Sequence, residues 1–249
     1  MWQTVILVVL CYCVEGRRQS RQPLRVHQGM ADVHNEFSFA VSLQNYQGER
    51  CCTASLIALN WVLTAAHCID DEQYVVRYTN FTIRKGSVRV AKVLKIILHP
   101  QYIQDSERYN DIAVIQTTYI YNKTIGRLSA IDYKSLTGLP VKYAGFGSTS
   151  EDSSDQEEDK FRPLQVGEAV VIRPYNDHEG PNVVIAPSCS NRRQGILGGD
   201  SGGPLIYDGR IVGVAMSLSN HDNIAHYAAV STYLQWIHNT MKTHGYKLS

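Results

Sequence analysis

The stretch Gly198-Gly199-Asp200-Ser201-Gly202-Gly203-Pro204-Leu205 sets a single serine among four glycines. Lacking Cβ atoms, the glycines reach left-handed or closely approaching backbone, so Ser201 can be presented on a sharp turn with neighbouring N–H groups facing an incoming carbonyl. That is the setting of a nucleophile. Taken alone the run is also readable as a plain glycine-rich turn, so the rest of the chain must supply what a hydroxyl needs. A hydroxyl barely ionises at neutral pH; attack requires a general base and a third group that fixes the base's tautomer. His67 lies in Leu63-Thr64-Ala65-Ala66-His67-Cys68, after the apolar stretch 55–63, and Asp111 lies in Asn110-Asp111-Ile112-Ala113-Val114-Ile115, heading a β-branched run. Each has an ordinary explanation by itself, one solvated histidine among nine or a turn aspartate before a strand. Together they supply base, orienting carboxylate and nucleophile.

The order His67, Asp111, Ser201 and the segments Thr64-Ala65-Ala66-His67-Cys68, Asp111-Ile112-Ala113 and Gly199-Asp200-Ser201-Gly202-Gly203-Pro204 resemble the chymotrypsin/trypsin family of serine proteases, over residues 26–240. The resemblance implies an all-β fold of two six-stranded antiparallel β-barrels, with the active site in the cleft between them and a C-terminal α-helix. Barrel one is expected at residues 26–130, barrel two at 131–230 and the helix at 231–245. Runs 88–98, 141–146 and 210–216 are strand-like and punctuated by Gly, Pro and Asn, in agreement. Ser231-Thr232 reads as the cap of a helix in which Tyr233, Trp236, Ile237 and Met241 recur at helical spacing, a core stripe.

With 249 residues, 44% hydrophobic and 19% charged, the chain is long enough for one sizeable or two modest cores. A net charge of +1 gives no reason to expect nucleic acid or an acidic membrane surface as a partner. Residues 2–14 are mostly apolar, too short to span a bilayer as a helix, and run into Glu15-Gly16-Arg17-Arg18; residues 1–16 therefore read as a secretory signal, with cleavage after Cys13 or Gly16. Secretion to the extracellular space follows. Residues 17–25 read as an activation propeptide and 26–249 as the protease domain. The resemblance implies cleavage of Arg25-Val26, the new Val26 ammonium pairing with Asp200 and so holding the loop that carries the Gly199 and Ser201 amides. His27-Gln28 departs from the small apolar pair usual in the family. Removing residues 1–25 takes away four arginines and one glutamate, leaving 20 basic against 22 acidic side chains, a net of −2.

Cys11 and Cys13 fall in the signal, leaving Cys51, Cys52, Cys68 and Cys189. By register with Ser55-Leu56-Ile57, the resemblance pairs Cys52 with Cys68; Cys51 competes for that bond, and Cys189 lacks its family partner. The specificity side departs further. Six residues before the nucleophile, where the resemblance implies the base of the primary pocket and an aspartate would select Lys or Arg, stands Gly195, and the cysteine that the family carries four before it is Leu197. Where relatives carry Ser-Trp-Gly the chain reads Met216-Ser217-Leu218, Leu218 narrowing the pocket mouth opposite the small Ala225. Small or medium apolar side chains are therefore expected before the scissile bond. Met216 also replaces a serine that donates to the catalytic aspartate, and methionine cannot donate.

The resemblance thus implies a secreted serine endopeptidase: His67 takes the Ser201 proton, Asp111 orients the imidazole, and the Gly199 and Ser201 N–H groups bind the oxyanion. No metal or organic cofactor is implied. Expected partners are protein or peptide substrates, an activating protease with basic-residue specificity and protein protease inhibitors, with the chain acting as a monomer. Asn80-Phe81-Thr82 and Asn122-Lys123-Thr124 are glycosylation sequons. Six acidic side chains in residues 151–159 read as a solvated loop, with a basic substrate or cation as the alternative. The rival functional reading is a secreted homologue of weak or absent activity acting as a binding or regulatory module, motivated by Leu218, Met216, His27 and the missing pocket disulfide.

Overall fold

The computed structural model describes residues 30–48, 50–70, 73–78, 89–104, 109–121, 123–147, 163–174, 180–188, 196, 200–218 and 224–246. The signal, the propeptide, both sequon asparagines, Cys189 and the acidic stretch 151–159 lie outside them.

Among the described residues, short β-branched and aromatic runs bounded by turn residues form thirteen antiparallel strands. The first barrel closes in the order β2 (Ala40–Asn45), β3 (Arg50–Ala58), β4 (Trp61–Thr64), β7 (Ala113–Thr117), β6 (Val90–Leu98) and β5 (Tyr74–Arg77), with β5 returning to β2. The second barrel comprises β8 (Pro140–Gly145), β9 (Gln165–Ile172), β10 (Asn182–Pro187), β11 (Pro204–Tyr207), β12 (Arg210–Leu218) and β13 (Ala225–Ala229). Pairing of β8 with β9 closes it. Closure joins the first and last strands of each six-stranded ring. Leu43, Leu56, Leu63 and Ile115 fill the first interior, and Val171, Ile185, Leu205 and Tyr227 the second, all buried.

Two details differ from the sequence reading. The two-residue strand β1 (Met30–Ala31) pairs with Gln165 and Val166 of β9, so the start of the expected barrel-one segment belongs to barrel two. Two residues carry no periodicity from which a partner can be read. The helix α1 (Val230–Thr243) has Ala229 as its N-cap, without a side-chain cap. Strand β13 runs straight into it, leaving no turn for a capping residue, and the Thr232 hydroxyl donates instead to the Ala229 carbonyl at 2.8 Å. The expected stripe is otherwise present: Tyr233, Ile237 and Met241 are buried together with Val230, and Trp236 is half-buried.

The helix leaves barrel two and packs back on barrel one. His99, just after β6, meets Tyr233 and Trp236 edge-on at ring separations of 5.3 and 4.9 Å, and Gln116 of β7 donates to the His244 carbonyl at 3.1 Å. On the opposite side of barrel one, the β2–β3 register passes from Leu43↔Cys52 to Gln44↔Arg50, a bulge that leaves Cys51 unpaired in the ladder. Cys52 is bonded to Cys68, as expected, with their Cα atoms 6.1 Å apart.

Closing a loop of this length, 16 residues in sequence, contributes about 3 kcal/mol in the chain-entropy treatment. Replacing both Cys52 and Cys68 by alanine is expected to lower the melting temperature by roughly 6–12 °C, a loss that calorimetry would detect and an unchanged Tm would exclude. A second expectation concerns His99, whose pKa burial lowers. The unfolded chain then takes up this proton before the folded one, so the site adds no pH dependence above about pH 6.5 and costs stability as pH falls below it. Melting curves between pH 7 and 5 should slope downward, and His99→Gln should flatten that slope; an unaltered slope would contradict the assignment.

Candidate active site

After β4 the chain turns through a short 3-10 segment, Ala66–Cys68, which carries His67. The disulfide at Cys68 anchors one end of this turn. Across from it Asn110, in the left-handed region at φ 54°, swings the backbone so that Asp111 enters ahead of β7. Asparagine tolerates that conformation better than most residues. Its side chain is held on both sides: the amide donates to the Gln101 carbonyl at 3.2 Å, and Oδ1 accepts from the Tyr233 hydroxyl at 3.4 Å. Burial pushes the Tyr233 phenol up to about 12, which keeps it a donor.

Asp111 is fully buried, 0% exposed, and grips His67 with both oxygens. Oδ1 accepts from the His67 backbone N–H at 2.9 Å and Oδ2 from Nδ1 at 2.6 Å. A buried carboxylate can only accept here, so Nδ1 carries the proton and Nε2 is the free base of the ring. The His67 side chain is 27% exposed, enough to reach a reacting group. Among the described residues both donors to the Asp111 carboxylate belong to His67. Met216 is buried, at a bulge where β12 skips from Ala215↔Tyr227 to Ser217↔His226, and offers no donor.

Ser201 stands on the tight turn before β11. The Gly203 N–H donates to the Asp200 carbonyl at 2.9 Å, and the Gly202 N–H to the Ala215 carbonyl at 2.8 Å. Gly202 has φ 76°, and a Cβ there would lie 2.4 Å from the Thr53 carbonyl and 3.1 Å from the Ala65 nitrogen. Only glycine fits so close an approach. The turn is thus seated on barrel one beside Thr64 and Ala65, two residues before His67. Thr53 donates its N–H to the Ser201 carbonyl at 2.9 Å, which ties the two barrels across the cleft.

Asp200 is buried, at 2% exposure, and its Oδ1 accepts from the Gly147 N–H at 2.8 Å. A Cβ on Gly145 or Gly147 would fall 2.7 or 2.6 Å from its carboxyl carbon, so the carboxylate fills a space that the Gly145-Phe146-Gly147 segment leaves free. Two buried phenols share this part of barrel two. Burial, with the Asp200 charge adding to it, raises Tyr143, and burial raises Tyr227 well above its ordinary value, so both stay neutral. Among the described residues the buried Tyr143 hydroxyl has no hydrogen-bond partner.

Of the pocket residues read from the sequence, Ala225 and Leu218 are direct partners across the β12–β13 pairing, Ala225 buried and Leu218 partly exposed. Gly195, Gly199, Arg25 and Val26 lie outside the described residues. Sequence reading missed Thr53, Tyr143 and the role of Phe146 and Gly147. A threonine or tyrosine in a strand is an ordinary β-former, and nothing in its spacing marks it. The cluster Cys52, His67, Cys68 is the one group within metal-ligand reach among the described residues, and with both thiols in a disulfide it has no thiolate to offer.

Comparison with known proteins agrees with this geometry. The family description "Trypsin" matches residues 26–237. Duodenase-1 of Bos taurus is 30% identical over 249 residues, covering 96% of each chain. Serine protease SP24D of Anopheles gambiae is 28% identical over 240 residues, covering 92% of this chain and 85% of its own. Among solved structures, mouse neuropsin superposes with a TM-score of 0.69 at 22% identity, covering 86% of this chain and 99% of its own. Human heparin binding protein gives 0.71 at 23%, covering 89% and 99%. Two closed antiparallel barrels with a C-terminal helix, a histidine gripped by a buried aspartate, and a family match across most of the chain make this protein a member of the trypsin family of serine proteases.

Proposed function

We propose that the protein is a secreted serine endopeptidase in which His67, Asp111 and Ser201 form the catalytic triad. The observation that carries this reading is the two-point hold of Asp111 on His67, which leaves Nε2 as the ring's only base while Ser201 stands on a turn seated two residues away from the His67 segment. Nε2 removes the Ser201 proton as Oγ attacks a peptide carbonyl, and the buried Asp111 charge stabilises the imidazolium that results. The Gly199 and Ser201 N–H groups receive the oxyanion. His67 then protonates the leaving amine, and water repeats the sequence on the acyl-enzyme.

Activation in this reading is cleavage of Arg25-Val26 by a protease of basic-residue specificity, with the Val26 ammonium joining Asp200. The burial of the Asp200 carboxylate supports it, since a buried carboxylate gains most from an added positive partner. The pocket reading rests on Gly195 in place of a counter-charge and on the Leu218–Ala225 pair, which together favour small or medium apolar side chains over Lys or Arg. Secretion rests on the apolar N-terminus; among the described residues no helix is long and apolar enough to cross a membrane. Substrates are proteins or peptides, protein inhibitors would occupy the same cleft, and the working unit is a monomer. A weakly active homologue acting as a binding module is the second reading, and the absence of any donor from Met216 favours it.

The two readings separate on labelling. After confirmed cleavage at Arg25-Val26, the protein should react with a fluorophosphonate and Ser201→Ala should not; a cleaved protein that stays unlabelled sinks the enzyme reading. Asp111→Asn should lower kcat by about 10⁴ through the wrong imidazole tautomer. Met216→Ser, which by the family resemblance supplies Asp111 with a third donor, should raise kcat on the order of tenfold, the worth of one hydrogen bond to a charged group. In a peptide panel Ala, Val or Leu before the cleaved bond should outrank Arg and Lys, and the opposite ranking would overturn the pocket assignment.

A further inference from the structure

Thr53 sits on β3 of barrel one, fully buried at 0% exposure, and all three of its polar atoms are used around the Ser201 turn. Its N–H donates to the Ser201 carbonyl at 2.9 Å. Its carbonyl accepts from the Thr64 hydroxyl at 3.0 Å. Its own hydroxyl oxygen accepts from the Phe146 N–H at 3.0 Å, across the cleft on barrel two. Next along the chain, the Gly147 N–H donates to the carboxylate of Asp200, the residue before Ser201. These contacts close a ring: Thr53 to Ser201, Ser201 to Asp200 along the chain, Asp200 to Gly147, Gly147 to Phe146 along the chain, and Phe146 back to Thr53. Two side chains, one from each barrel, therefore take consecutive N–H groups just beyond the end of β8 at Gly145.

We propose that Thr53 is a positioning residue for the nucleophile, its hydroxyl fixing the Phe146-Gly147 segment against which the Asp200-Ser201 peptide is set. The proposal rests on the serine-protease reading given above. The chemistry requires a hydroxyl. A valine at this position keeps the backbone bond to Ser201 and nearly the same volume, yet takes from the buried Phe146 N–H the hydroxyl that accepts it at 3.0 Å. The segment must then shift toward water or another acceptor, and Asp200 moves with it through Gly147. The Ser201 N–H belongs to the peptide that joins Asp200 to Ser201, so loss of the hydroxyl disturbs the group proposed to receive the oxyanion. Such a displacement acts on the transition state more than on substrate binding.

The test compares Thr53→Val and Thr53→Ser with the parent, all cleaved at Arg25-Val26, by fluorophosphonate labelling rate and by kcat and KM on a peptide with an apolar residue before the scissile bond. Thr53→Val should label and turn over about tenfold more slowly with KM within about twofold, while Thr53→Ser, which restores the acceptor, stays within about twofold of the parent in both. A Thr53→Val protein as active as the parent overturns the proposal and leaves the protease reading standing. A cleaved parent that does not label defeats the protease reading instead. Amide exchange in the Ser201→Ala protein tests the ring without activity and without altering Thr53: the Phe146 N–H should exchange as slowly as the β8 amides, and fast exchange overturns the ring even where Thr53→Val fails to fold.

Discussion

A carboxylate with no exposure to water has to be bonded or neutralised, and at Asp111 the chain meets that demand with one neighbour. Both oxygens are taken by N–H groups of His67, one from the backbone and one from the ring. Charge-assisted bonds of this kind are roughly twice as strong as neutral ones, and here they fix both the position of the residue and the orientation of its side chain. Much of the surrounding architecture follows from keeping that pair in register. The 3-10 turn after β4 aims the His67 N–H, the Cys52–Cys68 bond holds the end of the turn, and Asn110 bends the opposite chain to deliver the carboxylate. Tyr233 reaches from the C-terminal helix to brace Asn110.

What could be read in advance was what chemistry restricts to one residue type. A base, an orienting carboxylate and a hydroxyl among glycines admit few substitutes, so His67, Asp111 and Ser201 stood out along with their flanks. The Cys52–Cys68 bond was also legible, through the family resemblance in the register of Ser55-Leu56-Ile57. Features that many sequences satisfy were not. Thr53 is a common strand residue whose hydroxyl matters only once the two barrels are docked. The bulge that turns Met216 inward is a property of pairing with β13, and no spacing within β12 announces it. The cap read at Ser231-Thr232 is one that a strand running directly into the helix leaves unused.

The two halves of the proposed site are held by different kinds of interaction. On the barrel-one side, His67 is held by two hydrogen bonds to the buried Asp111 and by the Cys52–Cys68 bond beside it, each of which needs its own residue type. On the barrel-two side, the residues proposed to shape the pocket, Leu218, Ala225 and Met216, interact through size and lack of charge. Size can drift by a methyl group at modest cost, whereas a buried polar bond cannot lose one partner cheaply. In the proposed site, chemistry is therefore the part least open to change and selectivity the adjustable part.

The exchange of chain ends between the barrels bears on how the molecule is made. Strand β1, at the N-terminal side, completes the outer face of barrel two, while α1, following barrel two, closes over barrel one. Neither barrel has its full set of contacts until the other is present. A ribosome releasing this chain from its N-terminus would present a first barrel whose His99 and β7 flank stays uncovered until the last helix emerges. Most contacts of that helix with barrel one span more than a hundred residues, and such long-range closure slows folding and prolongs the exposure of apolar surface. The cleft that holds His67 and Ser201 is thus among the last parts of the molecule to exist, so a half-made chain carries no assembled site.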